Sequence, residues 1–160
     1  MDVVIIGAGQ AGVQVALSLR QLGHADGITV IGDEPHPPYQ RPPLSKAYLK
    51  GEMAADQLLL RPVAALESQH IQLRTGVRVT GIDPAGRLVH TAAGPISYDY
   101  LVIATGATHS YFGHDDWAPA APGLKGIEDA LDIRRRLLFA FEAAESSQDE
   151  AERRAWLTFV

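Results

Sequence analysis

The first dozen residues constrain this chain more than any other stretch. Met1-Asp-Val-Val-Ile-Ile-Gly-Ala-Gly-Gln-Ala-Gly12 places a short apolar run, Val3 to Ile6, directly before glycines at 7, 9 and 12. A run of that length reads as a strand buried on both faces, and helical spacing follows at once at Val13, Ala16, Leu17, Leu19 and Leu22. Strand, tight glycine turn and helix in immediate succession form a dinucleotide-binding fingerprint. Each glycine has its own expected task. Gly7 permits the turn, Gly9 lets the backbone approach a pyrophosphate, and Gly12 lets the helix pack closely on the strand. Ala8, Gln10 and Ala11 complete the expected phosphate loop, which is backed by the free N–H groups and positive dipole end of the helix. That dipole contributes only about 0.3–1 kcal/mol to holding an anion, and ~2 kcal/mol when partly buried. Most of the binding energy must come from elsewhere in the chain.

Gly23 is a natural stop for the helix. Ile28 to Ile31 reads as a second strand, with Asp33-Glu34 just past its end. The interval from Gly12 to Asp33 matches the roughly twenty residues between such a loop and the acid that bonds an adenosine ribose. Asp33 and Glu34 are both candidates for that carboxylate. A nucleotide-free α/β core is the plain alternative, and the concurrence of strand, helix and acid weighs against it.

Pro35-His-Pro-Pro-Tyr-Gln-Arg-Pro-Pro-Leu-Ser-Lys46 carries five prolines. So many fixed φ angles and missing donors predict a stiff, extended loop without a regular element. Leu44 to Leu49 can form a short helix closed by Gly51. Arg41 and Lys46 are cations on a stiff backbone, suited to a pyrophosphate or to an electron-rich ring that gains negative charge. A rigid surface connection is the alternative, and the residues alone leave the two open. Leu58 to Leu60 is expected to be extended, Pro62 to open a helix reaching about Ser68, and Ile71 to Leu73 to form a strand.

From Gly76 the pattern becomes period-two alternation between tight turns. Val77, Val79 and Ile82 precede Asp83-Pro-Ala-Gly86, Leu88 and Val89 precede Thr91-Ala-Ala-Gly94, and Ile96 and Tyr98 follow. This predicts an antiparallel meander of three strands. Tyr100-Leu-Val-Ile-Ala104 returns as an apolar strand of the parallel sheet and ends in Thr105-Gly106, where a missing Cβ lets backbone touch a ligand. The loop beyond holds His109, His114, Asp115 and Asp116, a set that seldom closes a metal site without further ligands. Ile127, Ala130, Leu131, Leu137, Leu138 and Phe141 outline a long amphipathic helix. Glu128, Asp129 and Asp132 suit its dipole, and Arg134 to Arg136 read as solvated charges. Ser146 to Arg154 reads as a polar loop with some helix, and Trp156-Leu-Thr-Phe-Val160 as a strand in want of a neighbour.

A chain of 160 residues can hold one well-cored domain and is short for two. A net charge of −5 with no basic stripe argues against a nucleic-acid partner. No apolar run approaches the roughly eighteen residues a membrane span needs. The first strand leaves no room for a leader peptide, which places the protein in the cytoplasm. With no cysteine, disulfides, thiolate metal sites and Cys-x-x-Cys redox pairs are excluded.

The fingerprint, the meander and Ala104-Thr105-Gly106, in that order, resemble the FAD-dependent pyridine nucleotide-disulfide oxidoreductases, flavoproteins with two dinucleotide-binding domains. The resemblance covers essentially the whole chain. It implies an α/β, Rossmann-like, three-layer FAD-binding domain with an antiparallel meander, truncated before the NADH-binding domain. The cofactor implied is FAD, with NADH as hydride donor in the full-length protein. Residues 1–125 would be the FAD-binding domain without its return strand, 126–154 a connecting helix and loop, and 155–160 the first strand of the NADH-binding domain. A piece of that kind is expected to be inactive alone and to hold FAD weakly at best.

Ile31-Gly-Asp-Glu-Pro35 and Tyr39-Gln-Arg-Pro-Pro-Leu-Ser-Lys-Ala-Tyr-Leu49 look very like the NADH-dependent ferredoxin and rubredoxin reductases. That likeness implies Lys46 and Arg41 near the flavin, with Lys46 stabilising its reduced form. It puts Asp33 or Glu34 at the ribose and Val79 at the cofactor where the meander begins. Those reductases have no active dithiol, in keeping with the missing cysteines. After Gly106, Ala107 to Trp117, Ala121 to Lys125 and Glu128 to Arg134 look like the type II NADH dehydrogenases, which serve a membrane quinone. The two signatures meet at Ala-Thr-Gly, which predicts a chain recombined at that turn or an intermediate natural subfamily. The expected acceptor is a ferredoxin- or rubredoxin-type protein. A quinone, with attachment at the inner face of the membrane, is the alternative, and a non-catalytic nucleotide-binding module is the second.

Overall fold

The computed structural model describes residues 1–107 and 110–159, and the chain divides into two compact units. The first comprises Met1–Gln40 and Asp56–Ala107, the second Arg41–Ala55 and Thr108–Val160. The strands are β1 (Val3–Ile6), β2 (Ile28–Ile31), β3 (Ile71–Arg74), β4 (Val79–Asp83), β5 (Leu88–Thr91), β6 (Gly94–Ser97) and β7 (Tyr100–Ile103). The helices are α1 (Gln10–Gln21), α2 (Ala47–Lys50), α3 (Val63–Glu67), α4 (Ile127–Ser146) and α5 (Glu150–Trp156).

In the first unit a parallel sheet runs in the order β3-β2-β1-β7, and β4-β5-β6 form the antiparallel meander. Every residue of β1 is buried. Successive strand side chains point to opposite faces, so a strand covered on both sides must be apolar throughout. Val3 and Ile5 accordingly join Val13, Ala16 and Leu17 of α1, Leu66 of α3, and Ile28, Val30 and Ile71. Val4 and Ile6 join Ile31 and Val89 of β5, with Val77, Val79, Ile96 and Tyr98 packed against them. The result is the expected three-layer α/β arrangement of helices, parallel sheet and meander. Each fully buried aliphatic side chain contributes about 1.5–3 kcal/mol, which makes β1 the strand this unit is built on.

Helix α1 ends as its sequence predicts. Gly23 takes φ +87°, its N–H bonds the Arg20 carbonyl at 3.1 Å, and the His24 N–H bonds the Leu19 carbonyl at 3.0 Å. This is a Schellman closure. The Arg20 guanidinium then donates to the carbonyls of Gln69, His24, Asp26 and His70 at 2.6–2.8 Å, tying the helix end to the strand ends around it. At this same end the Met1 ammonium lies 2.5 Å from Asp26 and, through that hydrogen bond, holds the Asp26 carboxyl below the usual carboxylate range.

The apolar strand expected at Tyr100 to Ala104 forms as β7, paired among the described residues to β1 alone, and Tyr100 and Ile103 stand 57% and 64% exposed at that edge. Several expectations are corrected. The proline stretch contains a regular element after all. Pro42–Ser45 form a 3₁₀ turn, because a first-turn proline gives up an N–H that has no intrahelical partner anyway. Leu58 closes another 3₁₀ turn, Ala55–Leu58, and in the segment expected to be extended only Leu59 bridges to Tyr39.

In the second unit α2 and the Pro42–Ser45 turn pack on α4. The buried residues of α4 are Ile127, Ala130, Ala140 and Ala144, whereas Leu131, Leu138 and Phe141 are exposed. The expected apolar face holds at Ile127 and Ala130, and farther along the helix the small Ala140 and Ala144 are buried while Leu138 and Phe141 stand outside. Arg135 and Arg136 are exposed, as expected of solvated helix charges, and make surface contacts. Arg135 and Arg136 pair with Asp132 at 2.6 and 2.7 Å, and Arg136 donates to the Pro119 carbonyl at 2.7 Å. The strand expected at residues 156–160 is not formed among the described residues. Trp156 ends α5, which Asp149 caps by accepting from the Ala151 N–H at 2.8 Å. The Asp149 cap starts a helix here, and α5 is held by packing on α4, where Trp156 meets Phe139 edge to face with ring centroids 5.7 Å apart. Val160 lies outside the described residues.

Candidate functional site

The parallel register brings three strand ends together. Ile6 is level with Ile31 and with Ile103, so Gly7, Gly32 and Ala104 all follow at one end of the sheet. Gly7 donates to the Ile31 carbonyl at 2.7 Å, and Ala104 donates to the Ile6 carbonyl at 2.7 Å. Gly7 has φ +117°, and a Cβ there would meet the Ala104 oxygen at 2.1 Å and the Thr105 nitrogen at 2.8 Å. A Cβ on Gly12 would meet the Gly7 oxygen at 1.9 Å. These two glycines are required by the chain's own packing.

Gly9 differs. It caps α1 with an extended backbone and no side-chain bond, and a Cβ built on it meets nothing within 4 Å. Packing therefore gives no reason for glycine at this position, and the open space beside it suits a group from outside the chain. The first N–H groups of α1 have no intrahelical acceptor. Gln10 and Ala11 are exposed beside them, and Ala8 is half-buried. A backbone cradle at a helix start, at the carboxyl ends of parallel strands, fits the pyrophosphate of a dinucleotide. Thr105 and Gly106 are exposed at the same end, Gly106 with φ +74° and open space around it.

The two acids past β2 are distinct in their surroundings. Asp33 is exposed and lies 3.4 Å from the Arg78 guanidinium. Glu34 is half-buried and accepts the hydroxyl of Tyr39, itself buried at 6% exposure. Val79 turns its side chain into the core beside Val4, Ile6, Ile31 and Val89. Residues Arg41 and Lys46 belong to the second unit. Arg41 is exposed and donates to the Lys125 carbonyl, and Lys46 is exposed at the start of α2.

Three contributors escaped the sequence reading. Gly32 lets the end of β2 meet the glycine loop, since a Cβ there would be 2.6 Å from that of Ala8. Its signal was its place between strand and acid. Arg78 and Tyr39 gave no local signal, because their partners are distant in sequence or lie across a proline-rich bend. The metal reading of the loop involves His109, which lies outside the described residues. Among the described residues no group of three or more His, Asp or Glu side chains gathers as a metal site. Likewise, no described helix is long and apolar enough to cross a membrane.

A family model for the pyridine nucleotide-disulphide oxidoreductases matches residues 1–144. Rhodocoxin reductase of Rhodococcus erythropolis is 49% identical over 108 residues, which cover 67% of this chain and 25% of that protein. A type II NADH:quinone oxidoreductase of Mycobacterium tuberculosis is 40% identical over 166 residues, covering 99% of this chain and 34% of its own. The crystal structure of a ferredoxin reductase from Rhodopseudomonas palustris superposes with a TM-score of 0.77 at 40% identity, covering 86% of this chain and 34% of that one. The chain thus spans between a quarter and about a third of the length of these relatives.

Proposed function

This chain belongs to the pyridine nucleotide-disulphide oxidoreductase family, and on that premise we propose that it is the FAD-binding part of an NAD(P)H-dependent flavoprotein oxidoreductase. Electrons pass from NADH through FAD to a ferredoxin- or rubredoxin-type protein. The observation that carries this reading is Gly9, a glycine with open space beside it in a loop whose other two glycines are filled by the chain itself. When bound, the flavin supplies hydride acceptance and release of electrons singly or in pairs.

The chain's own residues do the holding and tuning. The loop Gly7 to Gly12 cradles the pyrophosphate, with the free N–H groups from Gly9 to Gly12 at the start of α1 turned to it, and Asp33 or Glu34 accepts from the adenosine ribose. Backbone at Val79 and Ala104 to Gly106 lines the cofactor, and Arg41 and Lys46 set positive charge against the reduced ring. Residues 1–125 carry FAD in this reading, and 126–154 lead on from them toward the NADH-binding part.

A quinone is the second acceptor to weigh, because the likeness to the mycobacterial NADH:quinone oxidoreductase runs over 99% of this chain, against 67% for rhodocoxin reductase. The protein works in the cytoplasm, at the inner membrane face if quinone is the acceptor. Flavin binding is tested first on a purified longer protein that carries this chain, by absorbance at about 450 nm and by fluorescence titration with FAD. No saturable FAD binding would overturn the reading. NADH-driven reduction of a [2Fe–2S] ferredoxin against a short-chain quinone, by a protein carrying this chain, then separates the two acceptors.

A further inference from the structure

On the premise that the glycine loop takes FAD, we propose that Arg78 is a positioning residue for the adenosine end of the site, acting through Asp33. Arg78 Nη2 stands 3.4 Å from Asp33 Oδ2. The backbones that carry the pair are locked together, since the Val77 N–H bonds the Gly32 carbonyl at 2.9 Å and the Gly76 N–H bonds the Glu34 carbonyl at 2.8 Å. The lead-in to β4 is thereby tied to the residues on either side of Asp33. Glu34 is already engaged by the buried Tyr39. Asp33 is thus the more accessible acid at the end of β2, and Gly32 sets it one residue from the contact with Ala8 in the phosphate loop.

An ion pair whose side chains are 57% and 79% exposed adds little to folding stability. What its geometry offers is orientation and charge. The guanidinium faces Oδ2 and leaves Oδ1 to accept a ribose hydroxyl. Its positive charge also offsets the repulsion between the Asp33 carboxylate and an incoming diphosphate. The ligand class this pair serves is an adenosine diphosphate group with free ribose hydroxyls. FMN lacks that group and is indifferent to Arg78.

The test titrates a purified longer protein that carries this chain, as apoprotein, and its Arg78→Ala and Arg78→Lys variants with FAD and FMN by flavin fluorescence, and with ADP by calorimetry. Arg78→Ala is expected to weaken FAD and ADP about fivefold to tenfold, the worth of one ordinary hydrogen bond, and FMN by less than about twofold. Arg78→Lys should recover part of the loss, and Asp33→Asn combined with Arg78→Ala should bind FAD no more weakly than Asp33→Asn alone. Should Arg78→Ala fail to fold, Arg78→Gln is read in the same way. Unchanged FAD and ADP affinities, or an FMN affinity that falls in step with them, overturn the role of Arg78 and leave FAD binding standing. A parent protein that binds neither FAD nor ADP overturns the proposed function and this role with it.

Discussion

A Cβ on Gly7 would stand 2.1 Å from the carbonyl oxygen of Ala104. Two residues far apart in sequence therefore share one space at the end of the sheet, and the turn after β1 can meet the end of β7 only while residue 7 is glycine. Gly7→Ala adds a backbone clash to a φ of +117°. The expected loss is about 2–5 kcal/mol, read from urea denaturation, with Gly12→Ala close behind.

Gly9→Ala separates packing from binding. Its Cβ meets nothing within 4 Å, so the stability cost is expected to stay near that of a poorer helix cap, about 1 kcal/mol or less. FAD affinity should nevertheless fall by at least about tenfold, through crowding at the phosphates. Paired melting and fluorescence titration check this, and equal affinities would remove Gly9 from the cradle.

Arg20 gathers four carbonyls, those of His24, Asp26, Gln69 and His70. Arg20→Ala is expected to cost about 2 kcal/mol, since the carbonyls recover part of their bonding from water. Arg20→Lys should rescue little, because an ammonium cannot reproduce the planar fork. Urea midpoints of the three proteins decide it.

Asp129 accepts the N–H groups of Lys125 and Gly126 at 2.8 and 2.9 Å, closing the start of α4. Asp129→Ala is expected to cost about 1–2 kcal/mol, and Asp129→Asn less, because an amide oxygen still accepts. Faster amide exchange in the first turn of α4 is the accompanying readout.

Lys46→Ala is expected to lower the midpoint potential of the bound flavin by roughly 30 mV, equivalent to about 1.4 kcal/mol for a two-electron couple. Lys46→Arg should restore it. A spectroelectrochemical titration checks the shift, and an unchanged potential with FAD retained assigns the charge elsewhere.

Much of the fold was legible in the chain because it rests on near neighbours. Val3–Ile6 must be a strand covered on both faces, Gly23 must end α1, and Asp83 to Gly86 and Thr91 to Gly94 must turn the meander. The candidate site was legible in outline for the same reason: glycine spacing and an acid past the second strand are short-range patterns. Less legible was the face of α4, since Ala140 and Ala144 carry little hydrophobic signal yet are buried where the helix packs closely. The end of the chain misled as well. Trp156 to Phe159 has strand composition, but the Asp149 cap upstream carries helix through Trp156.

The amino-acid order by itself determined the strand, the glycine turn, the helix and the meander, because periodicity and turn chemistry act within a few residues. The spacing assigned the three glycines separate tasks, and only the tertiary structure decided what fills the space at each. Gly7 and Gly12 are filled by Ala104 and by the loop itself, and Gly9 is left open. The same holds for the two acids past β2, of which Tyr39 engages Glu34 and Arg78 faces Asp33. These distinctions depend on which distant backbone arrives at the sheet end, and no local pattern encodes that arrival.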